Sequence, residues 1–368
     1  MPQRRTTDCD VLIVGGGIAG ASLGAEIAAR ARVVLIEAES HCGYHSTGRS
    51  AAFWLESYGG AVVARLSAAS HDFLSAPPPD FSEQGFLSPR GALHISDSGW
   101  VELPDSVEVR RVERTELEHM VPGIRPRWRF AVLEPGCADI DVGGLHAAFL
   151  RLLRRREGEV RTDSRLRAAR WTEGRWVAEL SDGSTISAPV LVDAAGAWAD
   201  SVAQACGVAP LEIAPKRRTM VQLRVGRSGV KALPQVIDAA GTFYFKGESD
   251  RSIWLSPHDE IATDPCDAAP EDIDVATAID RFEQVVDWGV AAVERRWAGL
   301  RSFAPDRLPV YGFDPAQPGF FWCAGQGGFG IQTAPAAAKM AAALLLGEPP
   351  SEMVERIDPA PFAPGRFR

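Results

Sequence analysis

The chain predicts an α/β fold in which a parallel sheet, assembled from separated stretches, is interrupted by a mostly antiparallel β-sheet domain. Three observations carry this expectation. Residues 11–14 (Val-Leu-Ile-Val) and 33–36 (Val-Val-Leu-Ile) are unbroken apolar runs, the pattern of parallel strands buried on both faces. Comparable runs recur at 189–193 and 320–323, each met by a glycine-bearing turn and then a helical pattern. The intervening segments, notably 85–112, 170–180 and 221–254, read as shorter strands with hairpin signals.

The first element is the most informative. The run 11–14 stops at Gly15-x-Gly17-x-x-Gly20, and a helical pattern with Ile18, Leu23 and Ile27 follows. Gly15 permits the tight turn, Gly17 lets a pyrophosphate approach bare backbone, and Gly20 lets helix and strand pack closely. The helix start at Ile18 and Ala19 presents unpaired N–H groups and a positive dipole end to phosphates. The second strand ends at Glu37 and Ala38, about 20 residues beyond the first glycine, where an acid usually binds a ribose hydroxyl. Strand, turn, helix, strand and acid in this order predict dinucleotide binding.

Composition narrows the partners. The 368 residues suffice for one large domain or two moderate ones. A net charge of −9 and a pI near 5.4 speak against nucleic acid or an anionic membrane surface. The six cysteines show no C-x-x-C pair, which fits a reducing cytoplasm better than a disulfide scaffold or a zinc site. The histidines likewise lack metal-ligand spacing, so no metal is expected. Arg4-Arg5 before an apolar run mimics a secretory signal, but Asp8, Asp10 and the early glycines contradict one. No segment offers the ~20 apolar residues of a membrane span, so a soluble, cytoplasmic protein is expected.

The remaining elements follow in order. Residues 41–50 are rich in Gly, Ser and Thr and read as a loop, and 66–74 has helical spacing that Pro77-Pro-Pro79 ends. Residues 132–141 read as irregular, and 141–156 as an amphipathic helix whose Arg-rich end complements its dipole. Glu173-Gly174 marks a hairpin turn. Residues 273–293 read as helical, and 336–346 as a last helix stopped by Gly347 and Pro349-Pro350. The expected division is a cofactor domain of 1–85, 136–205 and 300–368, with a substrate domain of 86–135 and 206–299. The site is expected in the cleft between them.

Placed together, four runs carry a family resemblance: Gly43-Tyr-His-Ser-Thr-Gly-Arg-Ser-Ala-Ala52, Pro215-Lys-Arg-Arg218, Trp297-Ala-Gly-Leu-Arg-Ser-Phe303 and Gln326-Gly-Gly-Phe-Gly-Ile-Gln-Thr333. Through them nearly the whole chain resembles the FAD-dependent D-amino-acid oxidase/dehydrogenase (DAO) family. It looks closest to D-arginine dehydrogenase and to the glycine and sarcosine oxidases. The resemblance implies a glutathione-reductase-like, FAD-binding Rossmann domain and non-covalent FAD. In relatives, the loop matching His45, Ser46, Thr47, Gly48, Arg49, Ser50 and Ala51 wraps the pyrophosphate and flavin edge. The stretch matching Ala194, Ala195, Gly196 and Trp198 lies against the cofactor. The loop matching Gly327, Gly328, Phe329, Gly330, Ile331, Gln332 and Thr333 precedes a helix facing the flavin's pyrimidine end, where its dipole stabilises negative charge. Leu166 is either an adenine contact or ordinary core. His45 is more readily a hydrogen-bonding group than a covalent flavin attachment, and Cys323 a buried strand residue.

The implied reaction is hydride transfer from the α-carbon of an amino acid to flavin, yielding an imino acid. Its small-molecule amino acid or amine substrate needs a carboxylate clamp, which suits arginine. By resemblance the clamp is Arg301 and Arg218, helped by Tyr58 and Tyr244, with Gln332 and Gly328 holding the amine or flavin. Read without the family, Lys216-Arg217-Arg218 is a solvated charged face and the tyrosines are packing residues with a polar tip. Two departures bear on substrate. Ala92 stands where D-arginine dehydrogenases carry a Glu, and Phe53 replaces a polar loop position. A cationic side chain would be badly desolvated there, so a neutral or apolar side chain is expected, in a D-amino acid. The alternatives are glycine, sarcosine or another N-substituted amino acid, or a non-catalytic flavin-binding protein. The electron acceptor, O2 or a quinone, stays open, as does a monomer against a weak homo-oligomer.

Overall fold

The computed structural model describes residues 6–368, so Arg4 and Arg5 lie outside the described residues. A six-stranded sheet runs in the spatial order Glu159–Arg161, Val33–Ile36, Val11–Val14, Val190–Asp193, Phe320–Ala324, Val310–Phe313. The first five strands are parallel and the last is an antiparallel edge. Its apolar strands alternate between two cores. Val11, Ile13, Val33 and Leu35 pack under the helices Ile18–Ile27, Val142–Arg155 and Ala334–Leu346. Leu12, Val14, Val34 and Ile36 instead face Trp176, Ile186 and the helix Ala199–Ala205. Burial on both faces is what an unbroken apolar run records.

A four-stranded sheet covers that second face and contains the predicted hairpin, Leu166–Thr172 with Arg175–Leu180. Glu173 (φ 52°) and Gly174 (φ 75°) are both left-handed, as a type I′ turn requires. The Val142–Arg155 helix begins at Asp141, whose Oδ1 accepts from Gly144 N–H, and ends in Arg154 and Arg155. Gly347 (φ 66°) closes the last helix in the left-handed conformation.

The second large sheet has ten strands. Its main path is Gln326–Gly327, Val290–Phe303, Ala214–Val225, Ser252–Ser256, Tyr244–Gly247, Gln235–Asp238, Ala92–Ser96, Phe130–Glu134, Arg110–Val112. All pairings on this path are antiparallel except that of Gln235–Asp238 with Ala92–Ser96. One face packs Leu93, Val221, Val236 and Phe245 against Phe282 and Trp288. The period of two then turns Arg218, Gln235, Ile237 and Tyr244 toward the other face, where the parallel-sheet side lies. The strand Val290–Phe303 runs through position 300, so the two sides share a continuous strand there.

Two expected elements differ. The helix predicted over 273–293 spans Asp272–Glu283 only, and Val290–Phe303 is a strand. Gly289 (φ 65°) separates them, and from 290 to 295 burial alternates with a period of two. The stretch 132–141 is not irregular: Phe130–Glu134 and Ala138–Ile140 are strands around a tight turn. The second of these joins Phe53–Trp54 and Leu87–Pro89 in a small three-stranded sheet, a pairing too short to show a period in sequence.

Candidate active site

Two connected cavities occupy the junction of the sheets. The larger, about 250 Å³, is lined by three glycine-bearing turns that are far apart in sequence. Gly15 and Gly17 come from the first turn, Ala194, Ala195 and Gly196 from the second, and Gly327, Gly328 and Gly330 from the third. Gly15 sits at φ 110°, and a Cβ there would collide with the carbonyl of Ala194. A Cβ on Gly20 would collide with the carbonyl of Gly15, so this glycine lets the helix seat against the strand. The helix Ile18–Ile27 has no side-chain cap of its own at Gly17; instead Ile18 N–H donates to Thr47 Oγ1 at 3.0 Å. That bond ties the 43–50 loop to the helix start and leaves Ala19 lining the cavity.

The other sequence-predicted residues divide cleanly. Ile18, Glu37, Ala38, His45, Ser46, Thr47, Ser50, Leu166, Trp198 and Ile331 line the larger cavity. Glu37 receives Gly16 N–H at 2.9 Å and Glu39 N–H at 3.0 Å, which fixes its carboxylate at the cavity wall. His45 shares Nε2 with Glu39 (3.1 Å) and stacks 4.5 Å from Trp198, while its buried Nδ1 has no partner among the described residues. Arg49 turns away: its guanidinium donates to the carbonyls of Ala268 and Ala298 and pairs with Asp267. It staples the loop to the ten-stranded sheet, as do Ser46 Oγ to Leu300 O (2.7 Å) and Trp297 Nε1 to Arg49 O (3.2 Å). Gly48 packs against the Gly43 carbonyl behind the lining, and Phe329 packs on Tyr58 and Phe303.

The smaller cavity, about 60 Å³, opens from the same junction, and Ser50, Arg301 and Gly328 line both. Tyr58, Arg218, Tyr244 and Ala51 line it too, with Ala52, Phe53, Leu55, Gln235, Ile237 and His258. The Tyr58 hydroxyl lies so close over Gly328 that a Cβ at 328 would collide with it. Ala92 is fully buried beneath, packed with Leu55, Cys137 and Ile237. Ala52 holds a left-handed φ of 46° on the cavity wall, a conformation uncommon for an L side chain and often found at functional sites.

The two arginines are not equivalent. Arg218 is 2% exposed and already held: Nε donates to Asp259 O at 2.7 Å and Nη2 to Glu260 Oε1 at 3.2 Å. Arg301 is 7% exposed, and no hydrogen bond or ion pair from another described residue holds its guanidinium. Burial, and then the positive charge of Arg218, draws Arg301 below its ordinary range. His258 adds no third cation, because burial and then Arg218 push its imidazole down to about 4 while Nδ1–H donates to Gly241 O at 2.8 Å. Among the described residues, no carboxylate lines the smaller cavity. It sets the guanidinium groups of Arg218 and Arg301 beside an apolar wall of Phe53, Leu55 and Ile237.

Gln332 does not take the catalytic position expected of it. It is buried outside both cavities, accepting Leu55 N–H at 3.2 Å and donating to Leu55 O (3.1 Å) and Ser67 Oγ (2.7 Å). The amide therefore clamps the strand edge behind Tyr58, and the Thr333 hydroxyl donates back to Phe329 O (2.9 Å). Neither Glu56 nor Glu134, the carboxylates at this loop, belongs to the lining. Sequence reading missed Tyr44, Arg165, Gln326, Gln235 and His258 as lining residues. A polar residue alternating with apolar ones, such as Gln235 before Val236, carries the same pattern as a solvated strand face.

A family model described as FAD dependent oxidoreductase (DAO) matches residues 10–344. The glycine oxidase of Pseudomonas putida is 25% identical over 377 residues, covering 96% of this chain and 98% of that protein. The crystal structure of glycine oxidase from Geobacillus kaustophilus matches with a TM-score of 0.79 at 21% identity, over 97% of this chain and 98% of the other. That of L-proline dehydrogenase from P. horikoshii matches with a TM-score of 0.82 at 19% identity, over 99% and 98%. At these identities the structural likeness speaks to the fold.

Proposed function

The chain belongs to the FAD dependent oxidoreductase (DAO) family, and from that premise we propose that it oxidises the carbon–nitrogen bond of a small amino acid. FAD, when bound, supplies a two-electron acceptor for a hydride from the substrate carbon. The chain fits that cofactor: bare backbone at Gly15 and Gly17 and the adjoining helix start suit a pyrophosphate. Glu37 suits a ribose hydroxyl, since each carboxylate oxygen can accept more than the one N–H it now receives. The unpartnered Nδ1 of His45 marks a buried polar position on the cavity wall that a ligand would satisfy.

One observation carries the substrate assignment, the buried and unpartnered guanidinium of Arg301 where the two cavities meet. A desolvated cation of this kind calls for an anion, and the planar fork of arginine matches a carboxylate in bidentate fashion. Held there, the substrate's α-carbon lies at the cofactor side of the junction, and its side chain extends into the smaller cavity. That cavity has room for roughly five water-sized groups, the scale of the smallest amino acids. Phe53, Leu55 and Ile237 line it without a carboxylate, which supports a neutral side chain and disfavours arginine or lysine. Glycine and sarcosine satisfy these constraints, and for larger side chains we expect the D enantiomer to react.

Anaerobic mixing of the FAD-loaded enzyme with a panel of D- and L-amino acids and N-methyl amines tests this. The expected result is rapid loss of the oxidised flavin spectrum with glycine, sarcosine or a small neutral amino acid, and slow or no loss with D-Arg and D-Lys. An unchanged spectrum across the whole panel, or the highest kcat/KM with D-Arg or D-Lys, overturns it.

A further inference from the structure

Gln235 lies at the start of the strand Gln235–Asp238, is fully buried, and lines the smaller cavity. Its Oε1 has the Cys137 thiol at 3.9 Å, but its Nε2 has no hydrogen-bond partner among the described residues. A buried amide donor left unpaired is costly and uncommon in native structures. Gln235 and Arg301 line this cavity from different strands of the ten-stranded sheet. Their strands are separated in the sheet by Ala214–Val225, Ser252–Ser256 and Tyr244–Gly247. A substrate anchored by its carboxylate on Arg301 therefore points its side chain toward the end of the cavity that Gln235 lines.

Resting on the reading of Arg301 as the carboxylate anchor, we infer that Gln235 is a specificity-determining residue for a small, neutral substituent that carries a hydroxyl or carbonyl oxygen. Such an oxygen accepts the free Nε2–H; a purely apolar group of the same size leaves it unpaired, and a second carboxylate would face only a neutral amide there. The neighbouring Phe53, Leu55 and Ile237 account for the rest of the substituent by contact. Discrimination by a hydrogen bond of this kind exceeds what an apolar pocket of fixed size achieves by shape.

Serine and 2-aminobutyrate share a heavy-atom skeleton and differ in a hydroxyl against a methyl. Each enantiomer of both is compared in the anaerobic reduction of the FAD-loaded enzyme, in wild type and in Gln235→Met, which keeps the length and removes the amide. The expected wild-type preference for serine in kcat/KM is about tenfold, falling to about one or inverting in Gln235→Met. Competitive inhibition of the wild type by 3-hydroxypropionate against butyrate reads the same discrimination without a variant, should Gln235→Met fail to fold. A wild-type ratio near one, or a tenfold ratio that Gln235→Met leaves unchanged, overturns the role of Gln235 while glycine or sarcosine still bleaches the flavin. Absence of bleaching by every amino acid overturns the anchor reading as well.

Discussion

The two cavities that meet at Arg301 are built from different chemistry. The larger combines main chain at three glycine turns and one helix start with side chains such as Glu37, His45 and Trp198, and most of its residues come in short contiguous runs. The smaller is walled by side chains drawn singly from several strands and loops, including Gln235, Ile237, Tyr244 and His258. The cradle is least tolerant at Gly15, where a Cβ meets the Ala194 main chain, whereas a side-chain wall can be altered one residue at a time. On the proposed reading, cofactor binding and substrate choice fall to different walls, and Arg301 lines both cavities.

The sharpest way to break that contrast is at Gly15. Gly15→Ala places a Cβ into the Ala194 carbonyl at a φ of 110°. Overpacking and left-handed strain together are expected to cost about 4 kcal/mol, read as a large fall in Tm with loss of bound flavin. A variant that stays yellow and stable would show that the backbone cradle is more forgiving than described. Next comes the pair of arginines. Arg301→Met is expected to lower kcat/KM about 100-fold, the consequence of about 3 kcal/mol of lost carboxylate anchoring, without lowering Tm in the absence of substrate. Arg218→Met should instead lose stability, about 2 kcal/mol, because it removes the donor of the Asp259 carbonyl and one partner of Glu260, which keeps Arg307. Equal behaviour of the two variants in both measurements would erase the distinction between them.

Gln332→Leu sharpens the same boundary from behind. It leaves the buried N–H of Leu55 unpaired, while the Leu55 carbonyl keeps the N–H of Tyr58, an expected loss of about 1–2 kcal/mol in denaturant unfolding. Once folded and loaded it should retain its KM for substrate. A selective rise in KM with unchanged stability would return Gln332 to the site. The smallest effect concerns pH. His258 is held neutral in the fold at about 4, against an ordinary 6.5, so the unfolded chain binds a proton first as the pH falls. Stability is present above pH 6.5 and is lost progressively down to about 4, amounting to about 1–2 kcal/mol between pH 7 and 5. His258→Asn suits the left-handed φ of 54° at this position. It should flatten that slope in urea midpoints taken at both pH values.

How legible each region was follows from how it is made. The Gly15, Gly17, Gly20 run, the apolar strands and the acid at Glu37 follow one another in the chain, so local spacing records their geometry. The same holds for the Glu173-Gly174 turn and the Asp141 cap. The end of the helix at Glu283 was not readable, because Val285, Val286 and Trp288 continue an apolar pattern although they fill the sheet–helix core. Gln332 and Arg49 were misplaced for a related reason. Their motif carries them to the right neighbourhood, but the partners that turn them away, Leu55, Ser67, Ala268 and Asp267, lie far off in sequence.

By itself the amino-acid sequence determined the parallel sheet, the dinucleotide cradle and the family to which the chain belongs, since those depend on backbone freedom and on the period of burial. Only the tertiary structure decided which arginine is left without a partner, that Gln235 ends in an unpaired donor, and how small the cavity beside them is. Those properties are sums over neighbours from distant strands, and the hydrogen bonds that satisfy or orphan a buried group form only when the strands are brought together.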